Sequence, residues 1–485
     1  MIRLCQNITS YLSLCYYIRK YYFEYRETQN HNIDLLGSIT NKITECGAVM
    51  IKFCQWVTPK LELIYLESGK EDDKPEWLTT LEKYYENCEN HELDYTKSEY
   101  NRVFEENVDE IYNFEDIIGS GSIGQVHLVT NKESKNQEVI KILHPNVKDQ
   151  IIFFRRFIKF LLWFPCIDKK CKNLFPFDMF EFIRQFELQT NFVNEANHIL
   201  FFYEEYKDND FIIIPQLKRI SSSILVMSYE SGVSLQESPI SNYQKDKIVN
   251  LYHLFIRNNQ LITNYNHGDL HPGNWKVRID STNSTNSTNP NHKLVIYDFG
   301  YCWRISNEVF DEIGTIFLDT FEESDDNIDK SVDNLCKLTY MSILYNKPDK
   351  ETDYKVRIRE HVKQEIRIRG IKTLSVIDSM KATMNLCNIE NLLLDPTLIQ
   401  CYIIFIQGQK LFEQYDLMTS DKDNTTPYEV YRDRYLNIYT FCKTYNIFVK
   451  YSEYIEKKLN EKQVVVNNIF DTINLDESIK ALTIN

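Results

Sequence analysis

HGDLHPGN (His267–Asn274) and KLVIYDFG (Lys293–Gly300) are the two runs whose reading decides the fold, and a polar insert separates them. Asp269, Asn274 five residues on, and Asp298 in an Asp-Phe-Gly triplet have the spacing that holds nucleotide phosphates, a metal ion and an acceptor hydroxyl together. On that reading Asp269 accepts the acceptor's proton. Asn274 and Asp298 offer oxygens to Mg²⁺, a hard ion that binds a few protein oxygens beside substrate phosphate. Leu294, Val295, Ile296 and Tyr297 form a short apolar burst, the pattern of a buried strand that delivers Asp298 to the end of a sheet. Each piece alone could merely cap a turn, because Asp and Asn do so routinely and Asp298 before Gly300 fits an Asx turn. Their order and spacing together favour phosphoryl transfer.

Upstream, YNFEDIIGSGSIGQVHLVT reads as strand, glycine turn, strand. Gly119, Gly121 and Gly124 stand in G-x-G-x-x-G order, with Ser120, Ser122 and Ile123 between them and Val126 following, so the backbone can fold over phosphates without Cβ interference. Such a triplet could also open a dinucleotide-binding unit, but there a helix follows. Here Gln125, Val126, His127, Leu128 and Val129 alternate as a strand, which favours a kinase-type flap. The next strand, EVIKILHP, sets Lys141 among Val139, Ile140, Ile142 and Leu143. A lysine there is costly without an anionic partner. Glu195, in a helical pattern 54 residues later, is the candidate carboxylate, and the long interval predicts inserted helices over about 148–180. FIIIPQ and SILVMSYESG predict two more strands, the second ending near Met227 and Tyr229 where a hinge would meet adenine.

The chain has 485 residues, 43% of them hydrophobic, so a sizeable core can form. Its 55 basic and 70 acidic residues give a net charge of −15, which makes nucleic acid a poor partner by default, since phosphate-backbone binding needs a basic face and only a local basic groove would supply one. Twelve scattered cysteines match no zinc spacing and no disulfide framework, the usage of a reduced, intracellular protein, cytoplasmic or membrane-associated. No stretch reaches the roughly 18 uninterrupted apolar residues of a membrane span. IIFFRRFIKFLLWF (Ile151–Phe164) is broken by Arg155, Arg156 and Lys159 and reads as an amphipathic helix, packed on the domain or lying on a membrane surface. Arg3, Arg19 and Lys20 precede the first acidic residue, Glu24, a faint likeness to a mitochondrial presequence, against which the stretch is Tyr-rich and poor in Arg.

GSGSIGQVH, VIKILHPNV, NEANHILFF, ILVMSYESGVSL, HGDLHPGN and DFG, in this order, resemble the UbiB/ADCK family of atypical protein kinases. The resemblance covers roughly Cys46 to Trp303, and Lys141, Pro145 and Val147 match its K-x-x-x-P-x-V pattern. It also gives Lys52 a role that periodicity alone, which reads a core-facing helix, would not. Lys52 and Gln55 match the family's K-x-G-Q segment, whose lysine folds over the nucleotide site, and Gln189 to Asn191 match its E/Q-x-D partner. Cys54 replaces the family's Gly, Asn191 replaces its Asp, and Val139 stands where alanine is usual. The Asn191 change is expected to weaken any charge pair with Lys52.

The resemblance implies an α+β, two-lobed, protein-kinase-like fold. Residues 1–110 would form a helical extension carrying Lys52, 111–231 a small β-rich lobe, and 232–485 a helical lobe with the catalytic and Asp-Phe-Gly loops. It implies an ATP- and Mg²⁺-dependent kinase or ATPase: Lys141 on the phosphates, Glu195 holding Lys141, Asn274 and Asp298 on the metal, and Asp269 on the acceptor. It further implies a link to ubiquinone and other isoprenoid quinones, with membrane lipid or quinone-pathway enzymes as partners. A small-molecule kinase of the aminoglycoside or choline type, a conventional Ser/Thr kinase and a non-catalytic ATP-gated lipid-binding module are the rival readings. DSTNSTNSTNPN (Asp280–Asn291) reads as a lengthened turn. After Trp303 the patterns DEIGTIFLDTF, NLCKLTYMSILY, DYKVRIREHVKQEIRIRG and LIQCYIIFIQGQKLF predict helices, and no A-P-E triplet marks a standard activation segment.

Overall fold

The computed structural model describes residues 2–65, 76–82, 90–174, 178–279, 292–307, 309–310, 351–369, 392–415 and 438–461, with isolated positions between 336 and 344 and at 387 and 389. Four helices come first: α1 (Ile2–Thr28), α2 (Ile33–Glu45), α3 (Ala48–Tyr65) and α4 (Glu76–Glu82). α5 (Leu93–Phe104) and the single-turn α6 (Val108–Ile111) then lead into a hairpin of β1 (Tyr112–Ser120) and β2 (Gly124–Asn131), followed by β3 (Gln137–Leu143). α7 (Val147–Leu162), α8 (Pro165–Leu174) and α9 (Met179–Gln189) are inserted before α10 (Phe192–Tyr206), which Asn191 caps by accepting the Val193 N–H.

After α10 the chain forms β4 (Ile212–Ile213), β5 (Leu217–Ile220) and β6 (Ile224–Ser228). One antiparallel sheet runs in the order β1-β2-β3-β6-β5. This corrects one sequence expectation. FIIIPQ yields only the two-residue β4, which pairs in parallel with a later strand of another sheet, and the fifth strand of this sheet is the unpredicted LKRI. LKRI carries two charges among four residues and shows no apolar run, as suits an edge strand.

Period-two alternation sorts the sheet into two faces. Ile140 and Ile142 of β3, Ile224 and Val226 of β6, and Val129 of β2 pack against Tyr100 of α5. Val139 and Leu143 of β3, with Leu225 and Met227 of β6, point the other way, onto Phe192, Ala196 and Ile199 of α10. Lys141 shares that second face, so the strand's own geometry aims it at the helix that carries Glu195.

The second lobe starts with α11 (Asn242–Asn258) and continues through β7 (Asn266–His267), β8 (Trp275–Ile279), β9 (His292–Ile296) and β10 (Cys302–Trp303). β8 and β9 form the expected antiparallel hairpin, with β4 on the far side of β9, and β10 pairs with β7. The polar repeat joining β8 to β9 lies outside the described residues. β11 (Ile343–Leu344), α12 (Glu351–Arg369), β12 (Leu393–Leu394), α13 (Pro396–Tyr415) and α14 (Val449–Glu461) follow. α12 and α13 hold the runs that start at Asp353 and Leu398, DEIGTIFLDTF falls outside the described residues, and NLCKLTYMSILY is described only at isolated positions. A small antiparallel sheet over a helical lobe, with a helical extension alongside, is the α+β, two-lobed kinase-like arrangement.

The extension docks through its own core. Tyr11 and Leu14 of α1 and Val49, Met50, Ile51 and Cys54 of α3 bury against Phe154 of α7 and Phe182, Ile183 and Phe186 of α9. The N-terminal basic stretch is thus part of a packed helix. α7 is amphipathic as expected: Val147, Ile151, Phe154 and Ile158 are buried, while Ile152, Phe160 and, just beyond its end, Trp163 are exposed. Among the described residues no helix is long and apolar enough to cross a membrane.

Candidate phosphoryl-transfer site

β9 is buried at Leu294, Val295 and Ile296 and carries the chain to Asp298, whose φ of +50° places it in the left-handed region. Aspartate tolerates that conformation, and such residues gather where a side chain must be aimed. Gly300 donates its N–H to Asp298 Oδ1 at 3.2 Å, closing the Asx turn. The Asx turn that Asp298 and Gly300 could form is therefore present. A Cβ on Gly300 would come within 3.1 Å of Asp298 Oδ1 and 3.7 Å of Glu195 Oε2, so glycine keeps this approach open. Phe299 is fully buried, its ring 4.9 Å from that of Phe202 on α10, and His198 Nδ1 donates to its carbonyl at 2.7 Å.

Lys141 Nζ donates to Glu195 at 2.7 and 2.9 Å and to Asp298 Oδ1 at 3.0 Å, so one ammonium bridges the helix carboxylate and the Asp-Phe-Gly carboxylate. The residue is 8% exposed, so the strand turns it into the protein and not to water. Burial opposes its charge, but Asp298 and Glu195 outweigh burial and hold its pKa above the ordinary value. Glu195 is 1% exposed, and burial pushes its carboxyl up to about 7 against the pull of Lys141. The protein around Asp298 also works against ionisation, yet Lys141 and then Lys52 bring its carboxyl well below the usual range.

The loop His267–Asn274 is laced from several sides. Burial lowers the pKa of His267. Its Nδ1 accepts the Asp269 N–H at 3.2 Å, so its proton sits on Nε2 and donates to the Tyr297 carbonyl at 3.0 Å. Asn274 Nδ2 donates to the Asp269 carbonyl at 2.7 Å, leaving the amide oxygen as its remaining donor atom for a cation. Tyr297 N–H donates back to the Asn274 carbonyl at 2.8 Å, tying the two halves of the opening motif together. Gln400 on α13 donates to the Gly268 carbonyl at 2.6 Å. The roles of Gln400 and His267 escape sequence reading because they serve backbone groups, which no spacing encodes.

Lys52 on α3 donates to Asp269 Oδ2 at 3.2 Å across 217 residues. Its carboxylate partner is thus the loop aspartate and not the 189–191 segment, where Asn191 instead caps α10. Removal from water raises the Asp269 pKa, but Lys52 and His271 more than reverse this and leave it lowered. Gln55, one turn beyond Lys52, accepts from the Ser122 hydroxyl at 3.4 Å, so α3 also touches the tip of the glycine loop. Gln189 is buried at the end of α9. Cys54 is buried in the extension's core, and burial pushes its thiol up to about 12.

The glycine loop closes on itself through Gly121 N–H to the Gly124 carbonyl at 3.0 Å, and Ile123 packs partly into both adjoining cores. Gly119, Ser120 and Val126 continue the two strands that frame it, with Gly119 opposite Val126. Met227 pairs with Val139 across β6 and β3, and Tyr229 N–H donates to the Gln137 carbonyl at 3.3 Å just past the strand end. The Asn274 amide oxygen and the Asp298 carboxylate fit Mg²⁺, which seeks hard oxygens and few protein ligands. No cluster of three or more His, Cys, Asp or Glu side chains suited to a metal occurs among the described residues.

A family model for the ABC1 atypical kinase-like domain matches residues 85–332, just over half of the chain. A probable serine/threonine-protein kinase, abkC, from Dictyostelium discoideum is 27% identical over 256 residues, 51% of this chain and 35% of that protein. A mitochondrial ABC1 family protein of Schizosaccharomyces pombe is 26% identical over 285 residues, 50% of this chain and 39% of its own length. The matched region therefore spans well under half of either relative. Among solved structures, the Rv3197–erythromycin complex from Mycobacterium tuberculosis aligns with a TM-score of 0.40 at 17% identity, over 66% of this chain and 83% of that one. The Rio2 kinase–ADP/Mg²⁺–phosphoaspartate complex from Chaetomium thermophilum aligns with a TM-score of 0.28 at 12% identity, over 74% and 96% of the respective chains. The ordered motifs, the two-lobed fold and the matched domain converge: this chain belongs to the ABC1 atypical kinase-like family.

Proposed function

We propose that this protein binds Mg·ATP between its lobes and hydrolyses or transfers the γ-phosphate, in the service of isoprenoid quinone metabolism. The observation that carries the reading is the buried ammonium of Lys141 held at once by Glu195 and Asp298. A nucleotide's phosphates would draw Lys141 away from Asp298 while Glu195 keeps its grip, freeing the Asp298 carboxylate to join the Asn274 oxygen around Mg²⁺. The bound cation would neutralise charge on the β- and γ-phosphates. Asp269, its pKa already lowered, is ionised at neutral pH and suited to orient an acceptor hydroxyl or water.

The Lys52–Asp269 pair favours a second reading, in which nucleotide gates a lipid-binding module without turnover. The helix pair α7–α8 suits a lipid partner: it is rich in Lys and Arg in an acidic chain, and Phe160 and Trp163 are exposed at its turn. The mitochondrial ABC1 relative supports the mitochondrion as one compartment that this reading admits.

ATP binding and turnover by wild type, Asp298→Asn and Asp269→Asn, with and without anionic vesicles, test these readings. Loss of binding in Asp298→Asn with loss of turnover in both variants supports phosphoryl transfer. Binding with no turnover that depends on Asp269 supports the gated module. Absence of nucleotide binding by wild type overturns both.

A further inference from the structure

We infer that His144 is a positioning residue that sets the shape of the glycine loop for polyphosphate, and that His91 holds it in place. The inference rests on the nucleotide-binding reading above. His144 follows β3, three residues after Lys141, and is 9% exposed. Its backbone N–H donates to the Ile123 carbonyl at 2.9 Å, and its Nε2 donates to the Gly121 carbonyl at 2.9 Å. Both carbonyls that flank Ser122 are therefore drawn to one residue. In a trans peptide the C=O and the following N–H point in opposite directions, so the N–H groups of Ser122 and Gly124 are turned away from His144. An anion over the loop would meet N–H donors in place of carbonyl lone pairs.

The imidazole does not stand alone. Because Nε2 serves the Gly121 carbonyl, a neutral His144 can only accept at Nδ1, and His91 Nδ1 lies 2.8 Å away to donate. His91 Nε2 then accepts the Thr96 hydroxyl at 2.9 Å, and Thr96 Oγ1 lies 3.0 Å from His127 Nε2. The main chain of His91 is fixed by Gln125, which accepts its N–H at 2.9 Å and donates to its carbonyl at 3.2 Å. Burial lowers the pKa of all three histidines, in keeping with neutral rings at physiological pH. Gln125 and His127 lie on the face of β2 that meets α5, so the loop is braced from outside the cleft, by groups that need not touch nucleotide. A turn that a glycine opens between two strands has conformational freedom to lose on binding, and a brace that removes it beforehand strengthens binding.

The test compares wild type, His144→Phe, His144→Gln and His91→Phe by Mg·ATP titration, turnover, and hydrogen exchange of residues 119–124 in the free protein. The ring of His144→Phe fills the site without a donor. It should weaken ATP binding about tenfold, equivalent to about 1.4 kcal/mol, with KM affected far more than kcat, and loop exchange should speed up. His144→Gln keeps an amide donor near the Nε2 position and should recover most of both, while His91→Phe should fall between. Equal affinity and equal loop exchange in wild type and His144→Phe would overturn the inference, as would failure of the glutamine variant to recover either. If wild type itself binds no ATP, the nucleotide reading falls, and loop exchange alone then decides whether His144 shapes the loop.

Discussion

Lys141→Met leaves Glu195 buried without its bonded cation, and the cost should depend on pH in a calculable way. The folded-state pKa of Glu195 is raised above 4.5, so the benefit of its neutral form is fully present below 4.5 and is lost as pH rises through about 7. Lys141 is what limits the rise in the wild type, because above about 7 the carboxylate ionises against a bonded ammonium. In the variant Glu195 must stay protonated at higher pH, and each further unit costs about 1.4 kcal/mol. At pH 6 both proteins hold Glu195 neutral, and the variant should lose on the order of 1–3 kcal/mol from Lys141's missing hydrogen bonds. At pH 8.5 the deficit should grow by about 2 kcal/mol. Urea denaturation followed by tryptophan emission at the two pH values reads the difference. The double variant Lys141→Met/Glu195→Gln, which has no acid to titrate there, should show no such growth. An identical deficit at pH 6 and pH 8.5 in the single variant would refute the assignment of Glu195 as a buried acid held ionised by Lys141.

Three further outcomes are expected. Lys52→Ala removes a 3.2 Å pair whose side chains are 16% and 33% exposed, a contact worth about 1 kcal/mol after solvent screening; Asp269 should titrate at higher pH and α3 should be cleaved faster by protease, and unchanged cleavage would show that Lys52 does not hold the helix down. Gly124→Ala would place a Cβ 2.5 Å from the Ile142 carbonyl oxygen and 3.3 Å from Phe192 Cζ. Since backbone cannot yield cheaply, a loss of about 1–3 kcal/mol should appear in the thermal midpoint. His127 is 2% exposed and burial lowers its pKa to about 4, so the unfolded chain takes up its proton near 6.5 while the fold does not. His127 should therefore contribute a fall in stability between pH 6.5 and 4, about 2 kcal/mol on reaching pH 5, and His127→Gln should remove that share of the slope in the same denaturation series.

Fold class was readable because the decisive signals are local. The apolar burst before Asp298 became β9, the alternation around Lys141 became β3, and the glycine spacing became the turn between β1 and β2. Strand pairing was less legible. FIIIPQ has the apolar content of a central strand, yet only two of its residues join a sheet, and it is the sheet of the other lobe. In β2 the alternation was visible but its sense was not. Gln125 and His127 face inward and are buried, while Val126 and Leu128 are only partly so, because α5 supplies polar partners that hydropathy cannot anticipate.

The sequence by itself determined which residues could carry the chemistry: Lys141, Glu195, Asp269, Asn274 and Asp298 were each singled out by type, order and spacing. Tertiary structure alone decided how they share charge. That Lys141 spans Glu195 and Asp298, that Lys52 pairs with Asp269 while Asn191 caps α10, and that His144 reaches back to Gly121 rest on contacts across 23 to 217 residues. Periodicity fixes the direction in which a side chain leaves its own strand or helix. The ion that it meets is set by how separate elements pack, and in a buried site each unpaired charge must find whichever partner that packing brings within reach.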